Sequence, residues 1–176
     1  MHQIRMASPV GRLRLASNGA ALCLVEFENP RRPHRADGDW QDGGDAVLDE
    51  ARRQLDAYFD GRRQAFELPL APRGTVFQQR VWLALRDIAY GDTISYGQLA
   101  ARLGMPTATR AVGAANGRNP LPIVLPCHRV VGADGSLTGF GGGLPVKRRL
   151  LELEGALPAN DLFTAAVPRG PAAAGA

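Results

Sequence analysis

The chain has 176 residues, 45% of them hydrophobic and 22% charged, with 21 Lys and Arg against 17 Asp and Glu. That is apolar sequence enough for one ordinary globular domain or two small ones, and it excludes a disordered or fibrous protein. No apolar run approaches the length of a membrane span, and Met1-His2-Gln3-Ile4-Arg5 has no basic-then-apolar export pattern, so a cytoplasmic protein with no membrane partner is expected. Two cysteines and three histidines make neither a disulfide framework nor a four-cysteine zinc site.

The positive charge is unevenly placed. Residues 1–72 hold 10 basic and 11 acidic side chains, whereas residues 73–155 hold 10 and 5. A basic half beside a neutral half suits a polyanion partner, and ordinary surface charge is the other reading. Lys147 is the only lysine, so nearly every cation is a planar guanidinium that can grip phosphate or stack on a base.

In chain order, residues 3–28 alternate in the manner of strands. Gly11-Arg12-Leu13-Arg14-Leu15-Ala16 leads to an Asn18-Gly19 turn, and Leu22-Cys23-Leu24-Val25-Glu26-Phe27 returns. Residues 29–45, rich in Pro, Gly, Arg and Asp, read as a mobile loop. Val47, Leu48, Ala51, Leu55, Tyr58 and Phe59 recur at helical spacing over 46–59, and Gly61 stops that helix. Phe66-Glu67-Leu68-Pro69-Leu70 reads as a short strand and Ala71-Pro72-Arg73-Gly74 as a linker. Residues 1–72 are thus expected to form a small α/β domain.

From Thr75 the pattern turns helical, with Phe77, Val81, Ala84, Leu85 and Ile88 as one stripe. Ser95 can cap a short helix through Arg102, and Gly104-Met105-Pro106 breaks it. Thr107 or Thr109 opens a second helix through Asn116. Two short helices across a Gly-containing turn are a helix-turn-helix candidate, whose small residues allow close approach either to a duplex or to other helices. Ile123-Val124-Leu125 reads as buried and leads into Pro126-Cys127-His128-Arg129-Val130-Val131. Residues 145–155 return to helix, with Val146, Leu150, Leu151 and Leu153 inside and Lys147, Arg148 and Arg149 outside. Residues 156–176 have no periodicity and read as a loose tail. The fold class is therefore α+β, with a mostly helical second domain over 73–155.

Cys127 is the candidate nucleophile, and on the residues alone a buried structural thiol is the alternative. Cys23, inside a strand, reads as core. His128 and Arg129 adjoin Cys127, but neighbours on an extended segment point to opposite faces, so a bridging water suits a thiol–imidazole relay better than direct contact. A histidine acting as base needs an orienting carboxylate. Asp87, Asp92, Asp134, Glu152 and Glu154 are the acids of 73–155. Glu154 at the helix end is one choice, and a solvated helix end is its other reading.

Pro126-Cys127-His128-Arg129-Val130 resembles the active-site signature of the O6-alkylguanine-DNA alkyltransferases, or methylated-DNA–protein-cysteine methyltransferases. Arg110-Ala111-Val112-Gly113, Asn119-Pro120, Gly141-Gly142 and Leu150-Leu151-Glu152-Leu153-Glu154-Gly155 follow in that family's order and spacing. Thr93-Ile94-Ser95-Tyr96-Gly97-Gln98-Leu99-Ala100 is similar to its first recognition segment. The resemblance is dense over 75–155 and looser over 1–72, where it implies a ribonuclease H-like domain beside a winged-helix-like one.

What the resemblance implies is specific. The helix-turn-helix enters the minor groove of double-stranded DNA containing O6-alkylguanine, with Ala111 and Gly113 on the recognition helix. Arg110 fills the space of the flipped base, and Tyr96 helps rotate the nucleotide and contacts the guanine. Cys127 takes the alkyl group, His128 takes the thiol proton through water, and Glu154 orients His128. Asn119 ties the recognition helix to the active-site segment, while backbone groups of Val130 and Gly141 meet the base. The product thioether is stable, so the protein acts once, on O6-alkylguanine and to a lesser extent on O4-alkylthymine, as a monomer without cofactor or metal. Phe140, Gly141 and Asn116 depart from residues of some relatives, which bears on alkyl size. Two other classes compete: a DNA-binding regulator needing no Cys127, and a cysteine hydrolase, which would need a histidine distant in sequence.

Overall fold

The computed structural model describes residues 1–30, 33–34 and 40–159. Three antiparallel strands open the chain: β1 (His2–Met6), β2 (Leu13–Ser17) and β3 (Leu22–Phe27). The turn between β2 and β3 is held by Asn18, whose side-chain oxygen accepts the N–H groups of Ala20 and Ala21 at 3.0 and 2.8 Å. A two-residue strand, β4 (Gln41–Asp42), runs parallel to β1 and sets the order β3-β2-β1-β4. The stretch 29–45, expected to be a loop throughout, therefore contributes an edge strand.

Helix α1 (Ala46–Phe59) matches the expected span. Asp45 caps it, accepting from the Leu48 N–H at 2.9 Å, and the Ser17 hydroxyl donates to the same carboxylate, so the helix starts where β2 ends. The expected strand at 66–70 does not form; Leu70 alone makes a bridge, to Leu22. The reason lies in a contact with α1. The Gln54 side chain of α1 pairs with both backbone groups of Glu67 at 2.9 Å, and Pro69 has no N–H to offer a ladder.

The second half is helical. Helices α2 (Val76–Ala84) and α3 (Tyr96–Arg102) both begin in capping boxes, Thr75 with Gln78 and Ser95 with Gln98. Helix α4 (Thr109–Asn116) opens at Thr109, one of the two expected positions, with Ala108 before it and no side-chain cap. The Trp82 indole N–H donates to Ala115 O at 2.8 Å and pins α2 to α4. Strands β5 (Ile94–Ser95) and β6 (Val130–Val131) pair in parallel, and α5 (Leu144–Leu153) closes the fold. No helix among the described residues is long and apolar enough to cross a membrane. Of the tail expected at 156–176, residues 160–176 lie outside the described residues.

Strand β3 is buried at every position, which simple alternation does not predict. Its outer edge is covered by the second half of the chain: the Val25 N–H donates to Pro120 O at 2.9 Å. Nearby, Phe27 meets Phe140 edge-on at 5.5 Å. Gly142 lies so close that a Cβ there would stand 2.7 Å from the Phe27 ring, whereas one on Gly141 would meet nothing within 4 Å. Gly142→Ala is therefore expected to destabilise the protein by about 1–3 kcal/mol through overpacking. Thermal unfolding checks this: the midpoint should fall for Gly142→Ala and stay near wild type for Gly141→Ala.

Candidate active site

The parallel pairing of β5 with β6 decides where the chemistry sits. It lays Ile94 beside Val130 and Ser95 beside Val131, so Tyr96 at the start of α3 emerges next to the segment that follows Cys127. Tyr96 donates its hydroxyl to Thr138 O at 3.1 Å, and its ring lies against α4 where Gly113 has no side chain. Arg110 and Ala111 lie on the exposed side of α4, together with Ala114. Among the described residues, none of the three makes a side-chain hydrogen bond or ion pair with the cysteine turn.

Asn119 shapes the approach to the cysteine. Its amide N–H donates to Leu125 O at 2.7 Å and its oxygen accepts the Leu121 N–H at 3.0 Å. The loop thus closed contains Ile123 at φ 74°, fully buried. A β-branched residue in the left-handed region costs about 1–3 kcal/mol and persists only where its surroundings dictate it. Asn116, also buried, directs its amide at Cys127 O from 3.5 Å.

Cys127, His128 and Arg129 form one turn of 3₁₀ helix, not the extended segment on which adjacent side chains would diverge to opposite faces. All three are buried. Burial pushes the Cys127 thiol up to about 11, against the pull of the Asn119 amide and the Lys147 ammonium. His128 is pushed down by burial despite its carboxylate neighbour, so the imidazole is neutral at pH 7. Its Nε2 lies 2.7 Å from Glu154 Oε1, and an ionised carboxylate can only accept, so Nε2 carries the proton. Nδ1 is then a bare acceptor, and it is buried without a protein partner.

Glu154, at the C-terminal cap of α5, is buried rather than solvated. Burial alone would raise its pKa. The His128 and Arg129 hydrogen bonds outweigh burial and hold the carboxyl well below the usual carboxylate range. Arg129 donates through Nε to Oε2 at 2.8 Å and through Nη2 to Oε1 at 3.0 Å, and its Nη1 reaches Ile88 O at 2.6 Å. The Tyr58 hydroxyl, from α1, donates to Oε1 at 2.7 Å.

Lys147 corrects the sequence reading most sharply. Expected on the outside of α5, it is fully buried, and Nζ donates to Val130 O at 2.6 Å and Thr138 O at 2.7 Å. Burial brings its pKa down to about 8, with the Cys127 thiolate acting in the opposite direction. The signal was available: Lys147, Leu150, Leu151 and Glu154 follow at i, i+3, i+4 and i+7, one helical face. The Lys147 bond occupies the Val130 carbonyl. Gly141 instead lines a cavity of about 300 Å³ with Gly113, Asn119 and Phe140, closed on its other side by Phe27 and His34. The structure thus groups Cys127, His128, Glu154, Asn119 and Val130, sets Tyr96, Gly113 and Gly141 beside them, and leaves Arg110 and Ala111 on the outer face.

Comparison with known proteins agrees over nearly the whole chain. Residues 76–156 match the family described as 6-O-methylguanine DNA methyltransferase, DNA binding domain, and residues 1–72 match its ribonuclease-like domain. The chain is 48% identical over 166 residues to the methylated-DNA–protein-cysteine methyltransferase of Mycobacterium tuberculosis, covering 92% of this chain and 97% of that protein. It is 45% identical over 155 residues to the enzyme of the same name from Methanosarcina acetivorans, covering 88% and 99%. The crystal structure of Mycobacterium tuberculosis OGT in complex with DNA superposes with a TM-score of 0.82 at 46% identity, covering 89% of this chain and 94% of that one. An O6-methylguanine DNA methyltransferase from Methanococcus jannaschii superposes at 0.60 with 27% identity, over 92% and 97%. With both halves matched in order and relatives this similar along their full length, the chain belongs to the 6-O-methylguanine DNA methyltransferase family.

Proposed function

We propose that this protein repairs DNA by moving the alkyl group of O6-alkylguanine, and less readily of O4-alkylthymine, onto Cys127 in a single turnover. The observation that carries the mechanism is the bare, buried Nδ1 of His128, one residue from the thiol, on an imidazole whose other nitrogen is bonded to Glu154. A thiol with a pKa of about 11 is almost entirely protonated at pH 7, so it needs a base at the moment of reaction. His128 Nδ1 takes that proton through a bridging water, and Glu154 stabilises the imidazolium. The sulfur attacks the alkyl carbon: the S–C bond forms, the C–O6 bond breaks, and its electron pair leaves with the guanine. The proton released by the thiol restores the guanine N1–H. Lys147 supports the thiolate electrostatically, and the product thioether has no leaving group, so Cys127 is spent.

The outer face serves delivery. Arg110, Ala111 and Ala114 present a small-residue surface with one cation, suited to close approach to a duplex. A base whose O6 lies inside the stack has to be extruded, at a cost of a few kcal/mol. Arg110 fills the gap, Tyr96 meets the extruded base, and the cavity edged by Gly113 and Gly141 lies beside it.

The direct test is incubation with O6-methylguanine DNA followed by peptide mass spectrometry. One methylene of added mass on the Cys127 peptide, with one turnover per protein, is expected; repeated turnover without an adduct would overturn the reading in favour of a hydrolase. Cys127→Ser should abolish transfer and leave DNA affinity near wild type, because phosphate contacts and not the thiol hold the duplex.

His128→Ala should slow single-turnover alkylation by roughly 10²–10⁴-fold, the usual contribution of a general base. The base works only when neutral, so in the wild type the rate should drop as pH falls through the His128 pKa, which lies below the ordinary imidazole value. Rapid-quench measurement across pH tests both expectations.

Arg110→Ala should slow repair of duplex strongly while leaving reaction with free O6-benzylguanine, which needs no extrusion, nearly normal. Equal losses in duplex repair and in binding, reproduced by added salt, would reduce Arg110 to a phosphate contact.

A further inference from the structure

The first domain reaches the Glu154 carboxylate through a side chain of α1. Among the described residues, Tyr58 is the side chain of 1–72 that hydrogen-bonds to Glu154, across 96 positions of sequence. Its oxygen sits 2.7 Å from Glu154 Oε1, the same oxygen that His128 Nε2 meets at 2.7 Å. Arg129 holds Oε2 through Nε at 2.8 Å and also reaches Oε1 through Nη2, at the longer distance of 3.0 Å. The carboxylate plane is thus fixed by donors from two separate stretches of chain, α1 and the cysteine turn.

Tyr58 is built to stay there. It is fully buried, and its ring packs edge-on against Phe59 at 5.3 Å and Tyr90 at 6.2 Å and tilted against Phe66 at 5.5 Å. Burial and the Glu154 charge raise the phenol pKa, so the hydroxyl remains a donor at any working pH. We propose that Tyr58 is a positioning residue for alkyl transfer, through which the first domain orients Glu154 and moderates its hold on His128.

The phenol and the imidazole compete for one oxygen. A phenol that donates to Oε1 draws on the charge that would otherwise serve the imidazole N–H. Without it, Glu154 binds the imidazole proton more tightly and His128 becomes the stronger base, while the carboxylate loses a fixed direction. Every other charged or titratable neighbour stays unchanged: Cys127 and Arg129 on the same turn, Lys147 on α5, and Tyr90 with the Gly91 N–H from the segment after α2.

This rests on the His128–Glu154 relay proposed above, so the test includes both. Tyr58→Phe keeps the ring and removes only the hydroxyl. The His128 ring titration, followed by NMR in the intact protein, should move to higher pH. The acid limb of the single-turnover rate should move with it, and the plateau rate should fall several-fold while DNA affinity holds. A uniform loss of rate with neither titration moved would mean a packing role only and would overturn the proposal. So would an unaltered profile. His128→Ala at the wild-type rate would overturn the relay itself and the proposal with it, whereas a slow His128→Ala beside an unshifted Tyr58→Phe removes Tyr58 alone. In the wild type, a slowly exchanging Tyr58 hydroxyl proton with an Overhauser contact to the His128 Nε2 proton is expected; its absence counts against the proposal even if the variant folds poorly.

Discussion

The Glu154 carboxylate is the interaction on which the rest depends. It is an anion at the end of α5, inside the protein, facing an imidazole, a guanidinium and a phenol. An isolated charge at that depth is prohibitively costly, and it is tolerable because each oxygen is met by donors at short range. Those donors come from the cysteine turn and from the first domain, so one carboxylate joins three parts of the chain. Removing it would strand Arg129, a permanently charged group with 5% exposure. The same contact therefore serves packing and, in the relay proposed above, catalysis, so the two cannot be altered separately at this position.

Cys127, the proposed nucleophile, is set against that fixed background. Its surroundings make the thiol less acidic than a free cysteine, the reverse of what a constitutively reactive cysteine needs. In the proposed reaction that reactivity is kept in reserve, with the His128 imidazole held neutral and its Nδ1 bare one residue away. Much of the geometry around it is enforced rather than relaxed. Asn119 cross-bonds its own loop, and buried Ile123 occupies a backbone region that its side chain disfavours. This is strain held by packing at a functional site.

Much of this was legible in the sequence, for reasons that differ by element. Helices α1, α2 and α3 announce themselves through apolar period and capping residues, because helix formation is local. Cys127 and His128 stood out as a candidate nucleophile and base on the residues themselves, Asn119 through resemblance, and Glu154 partly by the scarcity of acids in its half. The strand expected at 66–70 fails because Gln54, remote in sequence, takes the backbone bonds of Glu67. Lys147 was misread because a charged residue is assigned outward by default, although its spacing with Leu150, Leu151 and Glu154 marks the buried face. Tyr58 reads as an ordinary core aromatic, since nothing in a linear pattern says that its hydroxyl meets a carboxylate 96 residues away. Long-range polar contacts of this kind leave no periodicity.

The composition of the cations has a last consequence. All but one of the 21 basic side chains are arginine, and the single lysine is sealed beneath the Tyr96 ring. Guanidinium groups keep their charge throughout the range in which proteins stay folded, so the field that draws a duplex to this surface is nearly blind to alkalinity. The groups that do titrate between neutral and alkaline pH in the reacting cluster, the thiol and the lysine amine, are enclosed away from that surface. Attraction and reaction thus occupy separate places on the pH axis, and a change in acidity retunes the chemistry without loosening the grip.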